Sequence, residues 1–391
     1  MFTKTQAELE LLGAAITTRE IKQQPELWSE VFESFLEQKE SLLAFFDRIR
    51  ESANGDKVKI IFTGAGTSEY IGNTICHYLE MTGDRENYLF YSIASTDLVA
   101  APSQYLFEED TVVLVSFARS GNSPESVAAV SLVNQLVSNP YHLVITCAKE
   151  GALAQNAKKD QRSYLFLMPE VSNDAGFAMT GSFSCMMLAA LLIFDQAHSL
   201  EEKKCYLDQI VGMVAAIIQQ EVDLQKLVSL EFQRLVYLGS GALAGLTQEA
   251  QLKILELTAG KIATVYDSSM GFRHGPKSFI DDQTLVIGFV SNDPYTRRYD
   301  LDVLEEIRED AIAVDTVALQ QQGGEGFSGH CFDLDSSMLL PDAYLAFPLV
   351  FIAQTIALLS SIKVNNLPDT PSATGTVNRV VQGVKIYHYC K

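Results

Sequence analysis

The chain has 391 residues, 47% of them apolar and 20% charged, and a formal net charge of −20. That length suits about two domains, each able to bury a core, and the balance excludes a disordered chain. The acidity excludes nucleic acid as an expected partner, because phosphate backbones select basic surfaces; any anionic ligand must be held by a local pocket of amides and hydroxyls. Six cysteines, at 76, 147, 185, 205, 331 and 390, show no paired metal spacing, and most stand in apolar surroundings that predict buried, reduced thiols. Met1-Phe2-Thr3-Lys4 leads into helical spacing with no basic stretch before an apolar block, so no secretory signal is expected and the location read from it is cytoplasmic.

Residues 1–55 read as helix, with Pro25 at a first helical position and Trp28, Val31, Phe32 and Phe35 at spacings of three and four. β-branched runs then predict strands over Val58–Thr63, Leu89–Ile93, Thr111–Phe117, His142–Cys147 and Ser163–Met168, separated by helices such as Thr67–Met81 and Ser123–Val137. Such alternation indicates a parallel sheet covered on both faces. A long helical region over Thr180–Val228 leads into a second cycle. Its strands are Leu235–Leu238, Ile262–Tyr266, Thr284–Val290 and Ala311–Ala318, with helices over Ala242–Ala259 and Arg297–Glu309. The apolar run Ala343–Ile362 has the length of a membrane span but carries Pro348, Gln354, Ser360 and Ser361; in an α/β chain it reads as a core helix, and no membrane partner is expected. From Asp369 to Lys391 the pattern is that of an extended tail.

The two cycles look like a degenerate duplication. Gly64-Ala65-Gly66 and Gly239-Ser240-Gly241 each follow a first strand, and Ser116 and Ser291 each stand 52 positions beyond the first glycine of their own loop. The expected fold is α/β: two similar three-layer α/β/α lobes with parallel sheets and one working phosphate site. The boundaries are 1–55 for a helical N-terminal segment, 56–228 for the first lobe with connecting helices, 229–366 for the second lobe and 367–391 for the tail.

Three loops carry candidate ligand contacts. Ser116-Phe117-Ala118-Arg119-Ser120-Gly121-Asn122-Ser123-Pro124-Glu125 runs from a strand into a helix, where hydroxyls, amides and the helix dipole suit an anion. The same residues make an ordinary turn, with Ser123 as N-cap and Pro124 at the first helical position. Arg119 favours the anion, since a guanidinium pairs with phosphate bidentately. Gly64-Ala65-Gly66-Thr67-Ser68 is a second such turn at the same sheet edge. It is no dinucleotide fingerprint, because Glu69 stands where the third glycine belongs, and no Gly-Lys-Ser/Thr makes a P-loop. Gly176–Ser184, with Thr180 and Ser182, is a hydroxyl-rich helix start that also serves as a cap.

Gly66-Thr67-Ser68 and Ser120-Gly121-Asn122-Ser123, followed by Leu252-Lys253-Ile254-Leu255-Glu256-Leu257 and Phe272-Arg273-His274-Gly275-Pro276, resemble the sugar isomerase (SIS) family in its duplicated form, as in the isomerase half of glucosamine-6-phosphate synthase. Asn173–Ser182 and Thr374-Gly375-Thr376-Val377-Asn378-Arg379 are similar, more narrowly, to the tagatose-6-phosphate ketose/aldose isomerase type, also described as galactosamine-6-phosphate deaminase. The resemblance implies a phosphorylated sugar held by Gly66, Thr67, Ser68, Ser116, Arg119, Ser120, Ser123, Thr180 and Ser182. It implies that Glu256 shuttles a proton between C1 and C2, that Lys253 lies beside it, and that His274 opens the sugar ring from a neighbouring subunit of a homodimer or larger assembly. Two departures stand out. The tail has no lysine in the register of the synthase's catalytic lysine, Lys385 and Lys391 being displaced, and the start Met1-Phe2 is not that of an amidotransferase.

The residues agree chemically. Hydrogen transfer between adjacent carbons needs one base that takes and returns a proton, and a carboxylate on a helix suits it. Lys253 lies three residues from Glu256 and can steady a developing oxyanion, although Glu249, Lys253 and Glu256 also have the spacing of an ordinary surface ion-pair row. The near-neutral pKa of histidine suits His274 to ring opening. The expected activity is that of a hexosamine-6-phosphate deaminase/isomerase, releasing ammonia from galactosamine-6-phosphate and leaving tagatose-6-phosphate. Plain aldose–ketose isomerisation and a non-catalytic sugar-phosphate sensor are the alternatives. No cofactor is expected, and no metal, since no His/Asp/Glu cluster has ligand spacing.

Overall fold

Three helices open the chain: α1 (Gln6–Leu11), α2 (Ala15–Lys22) and α3 (Gln24–Ala53). The first cycle follows as β1 (Val58–Thr63), α4 (Thr67–Thr82), β2 (Tyr88–Ser92), α5 (Ser95–Ala100), β3 (Thr111–Ala118), α6 (Pro124–Leu136), β4 (Asn139–Thr146), α7 (Ala152–Ala157) and β5 (Ser163–Leu167). Helices α8 (Gly181–Phe194), α9 (Leu200–Gln219) and α10 (Glu221–Ser229) lead to the second cycle. That cycle comprises β6 (Arg234–Gly239), α11 (Ala242–Thr258), β7 (Ala263–Ser268), β8 (Thr284–Phe289), α12 (Pro294–Asp310), β9 (Asp315–Gln321), β10 (His330–Leu334) and α13 (Asp342–Lys363). The coordinates are a computed structural model and describe residues 1–322, 326–381 and 383–390.

Both sheets are wholly parallel. The first runs β2-β1-β3-β4-β5 and the second β7-β6-β8-β9-β10, the same order strand for strand. The expected pair of α/β lobes is present. Central strands covered on both faces must be apolar on both sides: every residue of β3 and of β8 is buried, whereas the edge strands β2, β5, β7 and β10 alternate or are partly open. One face of the first sheet packs Ile61, Val112 and Leu114 against Leu98 of α5 and Ala129, Leu132 and Val133 of α6. In the second lobe Val236, Leu238 and Val286 pack against Leu301, Val303, Leu304 and Ile307 of α12. The apolar helix α13 is almost entirely buried, packed along α11 as a core helix. Each of its fully covered Leu, Ile or Phe side chains contributes roughly 1.5–3 kcal/mol.

The chain divides into two compact units. One takes Glu26–Asp174, Gly181–Lys203 and the tail from Val377, and contains the first sheet. The other takes Met1–Pro25, Ala175–Thr180 and Lys204–Thr376, and contains the second.

Several local expectations shift. The long helical region resolves into three helices, and β10 and the short α5 went unanticipated. The ninth strand starts at Asp315 instead of Ala311, because Ala311 caps α12 in a left-handed conformation with φ 53°. Equal spacing also misled about the duplication. Thr63, just before Gly64, pairs with Ser116, but Leu238, just before Gly239, pairs with Gly288, so Ser291 lies past the strand end and is not the counterpart of Ser116. Of the six cysteines, 76, 147 and 185 are buried while 205 and 390 are exposed.

Candidate active site

The loop after β1 is shaped by glycine. A Cβ on Gly64 would come within 2.5 Å of the Ser68 backbone, and Gly66 caps α4 with φ 56° and ψ −127°, a conformation that favours glycine. Thr67 and Ser68, in the first turn of α4, are both buried. Around this turn, at the carboxyl edge of the first sheet, four buried side chains carry a polar atom with no partner among the described residues: Thr63 Oγ1 at the end of β1, Ser95 Oγ at the start of α5, Ser116 Oγ near the end of β3, and Glu125 Oε2 in the first turn of α6. Native chains rarely leave such groups unsatisfied, since each costs about 1–3 kcal/mol. Their gathering at one sheet edge marks contacts that the chain itself does not supply.

The Arg119–Ser123 loop is partly committed. Arg119 is buried and donates from Nη2 to the carbonyl oxygen of Arg379 at 2.6 Å, which ties the tail to the loop. Ser120 Oγ accepts from Asn122 N at 3.3 Å. Ser123 occupies the N-cap position of α6 before Pro124, yet its hydroxyl makes no capping bond. The expected cap role is therefore absent, and the hydroxyl is left at the helix N-terminus.

Ser182 is used differently. Its hydroxyl donates to the Asp174 carboxylate at 2.5 Å, and the same carboxylate accepts from the backbone N–H of Gly181 and Ser182, so Asp174 caps α8. Thr180 is buried, and its carbonyl accepts from Gln354 Nε2. Arg379 donates to the carbonyl of Asp174 and to Asn173 Oδ1, fixing the tail to this turn. Asp174 was missed in the sequence, where it stands seven residues before the helix it caps. Lys385 lies over the ring of Tyr387 at 4.7 Å in its own tail; Lys391 lies outside the described residues.

In the second-lobe unit, Lys253 Nζ sits 2.5 Å from Glu256 Oε2 and 3.4 Å from Glu249 Oε1. The surface-row reading of these three fails: Glu249 and Lys253 are wholly excluded from solvent, while Glu256 keeps 21% of its side chain exposed. Burial turns an ordinary helical ion-pair row into a triad with one open carboxylate. His274 is exposed on a one-turn 3₁₀ helix, Gly271–His274. That loop is anchored on both sides, by the buried Phe272 and by ion pairs from Arg273 to Asp302 and Glu306 and from Lys277 to Glu306 and Asp310. The histidine is thus presented outward from a clamped loop. Among the described residues, no group of three or more His, Cys, Asp or Glu has a metal-holding arrangement.

Residues 55–194 match the family described as the SIS domain. The chain is 44% identical over 374 residues to the D-galactosamine-6-phosphate deaminase AgaS of Escherichia coli, covering 95% of each chain. It is 39% identical to a solved structure of tagatose-6-phosphate ketose/aldose isomerase from Escherichia coli, with both chains covered in full and a TM-score of 0.87. The C-terminal domain of glucosamine-fructose-6-phosphate aminotransferase from Francisella tularensis shares the fold at a TM-score of 0.71 and 15% identity, over 90% of this chain and 96% of that one.

Proposed function

Because the chain belongs to the SIS domain family, we propose that it is a hexosamine-6-phosphate deaminase that converts galactosamine-6-phosphate and water into tagatose-6-phosphate and ammonia. The observation that carries this reading is the triad on α11, in which a buried Lys253 holds the open carboxylate of Glu256. His274 assists ring opening of the aldosamine. Glu256 takes the proton from C2, giving an enolamine, and returns it to C1, which leaves a ketimine at C2. Water adds to that carbon, ammonia departs, and the ketose phosphate remains. Lys253 orients Glu256 as base.

The phosphate belongs, in this reading, at the carboxyl edge of the first sheet, where the chain from Ser116 through Ser120 and Ser123 leads into α6 and Gly66, Thr67 and Ser68 open α4. The hydroxyls of Thr63, Ser95 and Ser116, without a partner among the described residues, support the assignment. Neutral donors also suit a chain whose net charge of −20 repels the substrate at a distance. A cytoplasmic homo-oligomer with a site shared between subunits completes the proposal.

Isomerisation without loss of nitrogen is the second reading, favoured by the 39% identity to the protein described as a ketose/aldose isomerase. Ammonia release from galactosamine-6-phosphate, measured beside glucosamine-6-phosphate with ketose phosphate followed in parallel, separates them. Stoichiometric ammonia and ketose from the galacto substrate is the expected result. Interconversion of tagatose-6-phosphate with its aldose and no ammonia from either amino sugar would replace the first reading by the second.

A further inference from the structure

The repeated lobes allow one anion site to be compared with its own copy. Gly66 and Gly241, the N-caps of α4 and α11, share φ 56° and ψ −127°. Ser95 N donates to Gly64 O at 2.7 Å, and Ser269 N donates to Gly239 O at 3.0 Å. Ser269 is therefore the second-lobe counterpart of Ser95, and both serines are buried. The difference lies in what the hydroxyls meet. Ser95 Oγ has no partner, whereas Ser269 Oγ donates to Asp300 Oδ1 at 2.5 Å. Ser240 Oγ donates to the same oxygen at 2.5 Å, and Ser291 N–H donates to Asp300 Oδ2 at 3.0 Å. Two hydroxyls and one amide converge on the two oxygens of an anion that the chain itself provides.

We propose that the second lobe retains a phosphate-binding cradle, made by Ser240, Ser269 and the Ser291 amide, which Asp300 plugs from within. The inference rests on the reading that the first lobe's sheet edge takes the substrate phosphate; it explains why a duplicated fold has one working site. Asp300 is six residues beyond Pro294, the first residue of α12, and six beyond Pro124, the first residue of α6, stands Val130. The aligned position in the first lobe thus carries no carboxylate, and the buried acid at that edge, Glu125, stands in the first turn of α6 instead. Asp300 is 1% exposed, and burial raises its carboxyl above the ordinary range against the opposing pull of its three hydrogen bonds. Such a group is held by shape and donors rather than by solvent.

Charge around the cradle also suits an exchange of anions. Arg297, one turn before Asp300 on α12, is buried, and Asp300 offsets part of the burial penalty on its guanidinium. Removing Asp300 takes away the largest of the charges that offset that penalty, with Asp333 and Asp342 supplying part of the rest. Asp333 and Asp342 are further acids near Arg297; Asp333 accepts from Gln320 Nε2, and Asp342 is turned toward Ser291 Oγ and Asn292 N, which donate to it. Monohydrogen phosphate can meet the donors with its charged oxygens and donate its own proton to Asp342.

The test is the number of inorganic phosphate ions bound per chain at saturation by the full-length protein, read by titration calorimetry. Asp300→Ala is expected to bind one more phosphate than wild type, and Asp300→Asn, which keeps the cradle filled by an isosteric neutral group, to match wild type. An equal count in wild type and Asp300→Ala overturns the proposal. If wild type binds none, the first-lobe assignment fails, but the difference between variant and wild type still decides this one. Should Asp300→Ala not fold in phosphate-free buffer, refolding is followed against rising phosphate, with Asp300→Ser as a second variant. Phosphate-dependent recovery of either supports the cradle, and recovery of neither overturns it.

Discussion

Lys253 Nζ lies 2.5 Å from Glu256 Oε2 at a spacing of one helical turn, and the lysine is fully buried while the glutamate is not. A buried cation needs anionic partners to offset its lost hydration. Glu249, also fully buried, is one of them, 3.4 Å away. Glu256 is the other, and it alone faces solvent. The arrangement leaves one carboxylate oriented by a rigid helix and accessible to a ligand, which is what a base shuttling a proton between adjacent carbons requires.

Glu256→Gln is therefore expected to leave sugar-phosphate binding within a few-fold of wild type and to remove turnover. Loss of the only base should lower kcat by about two to four decades. The glutamine amide still accepts from Lys253, so the fold survives and the loss is chemical. Activity within tenfold of wild type would assign the proton transfer elsewhere.

Much of this was legible in the sequence, and the gaps share a cause. β1 and α11 lie where the alternation and the 3.6-residue period placed them, because each is a long regular run with apolar residues on a consistent face. β10 was missed because His330-Cys331-Phe332-Asp333-Leu334 is a short edge strand whose composition is half polar. The candidate loops were found from their hydroxyls and glycines, yet what each side chain touches depends on distant chain. Arg119 looked free to grip phosphate; it holds the carbonyl of Arg379, 260 residues away. Glu249 and Lys253 looked like a surface pair, and it is tertiary packing of α11 that buries them. Asp300 did leave a trace: it shares the buried stripe of α12 with Arg297, Leu301 and Leu304, where an acid needs an explanation.

Ser95→Ala and Ser116→Ala separate a ligand contact from a structural one. Both hydroxyls are buried without a partner, so removing either should leave the free protein as stable as wild type or slightly more stable. If each donates to the substrate phosphate, the loss of one charge-assisted bond weakens phosphate binding by about 1.5–3 kcal/mol. Ser120→Ala should show the same loss of affinity. Melting curves with and without phosphate check this. A serine whose removal lowers the melting temperature of the free protein, with phosphate affinity unchanged, belongs to the scaffold.

Acid stability should depend on His142. The side chain is buried on β4, its Nε2 shared with Asn134 Oδ1 at 2.8 Å and its Nδ1 without a partner. Burial pushes its pKa down to about 4 from 6.5, against the opposing charge of Asp160. The unfolded chain then takes up a proton between pH 6.5 and 4 while the native chain does not, so stability is present above that window and is lost as pH falls through it. The loss is on the order of 3 kcal/mol. Because carboxylates titrate in the same range, the measurement is the difference between wild type and His142→Gln in urea unfolding at several pH values. The variant should lack this component, and parallel curves for the two proteins would remove His142 from the explanation.

The exposure of His274 on a clamped loop bears on how the site is completed. Phe272 anchors the loop in the core and the Arg273 and Lys277 ion pairs fasten it to α12, yet the His274 side chain makes no hydrogen bond or ion pair among the described residues. A rigid outward histidine suits a donor that serves a neighbouring subunit; the competing arrangement is a loop serving its own chain. Glu256→Gln and His274→Ala homo-oligomers, each inactive, are dissociated together and allowed to reassociate. In a two-fold dimer with the histidine acting in trans, each mixed dimer has one site with both groups intact and one with neither. Random reassociation makes half of the dimers mixed, so about a quarter of wild-type activity should return. With the histidine acting in cis, every site lacks one group and the mixture stays inactive. Verified mixed dimers without activity, or an active monomer, would end the shared-site proposal.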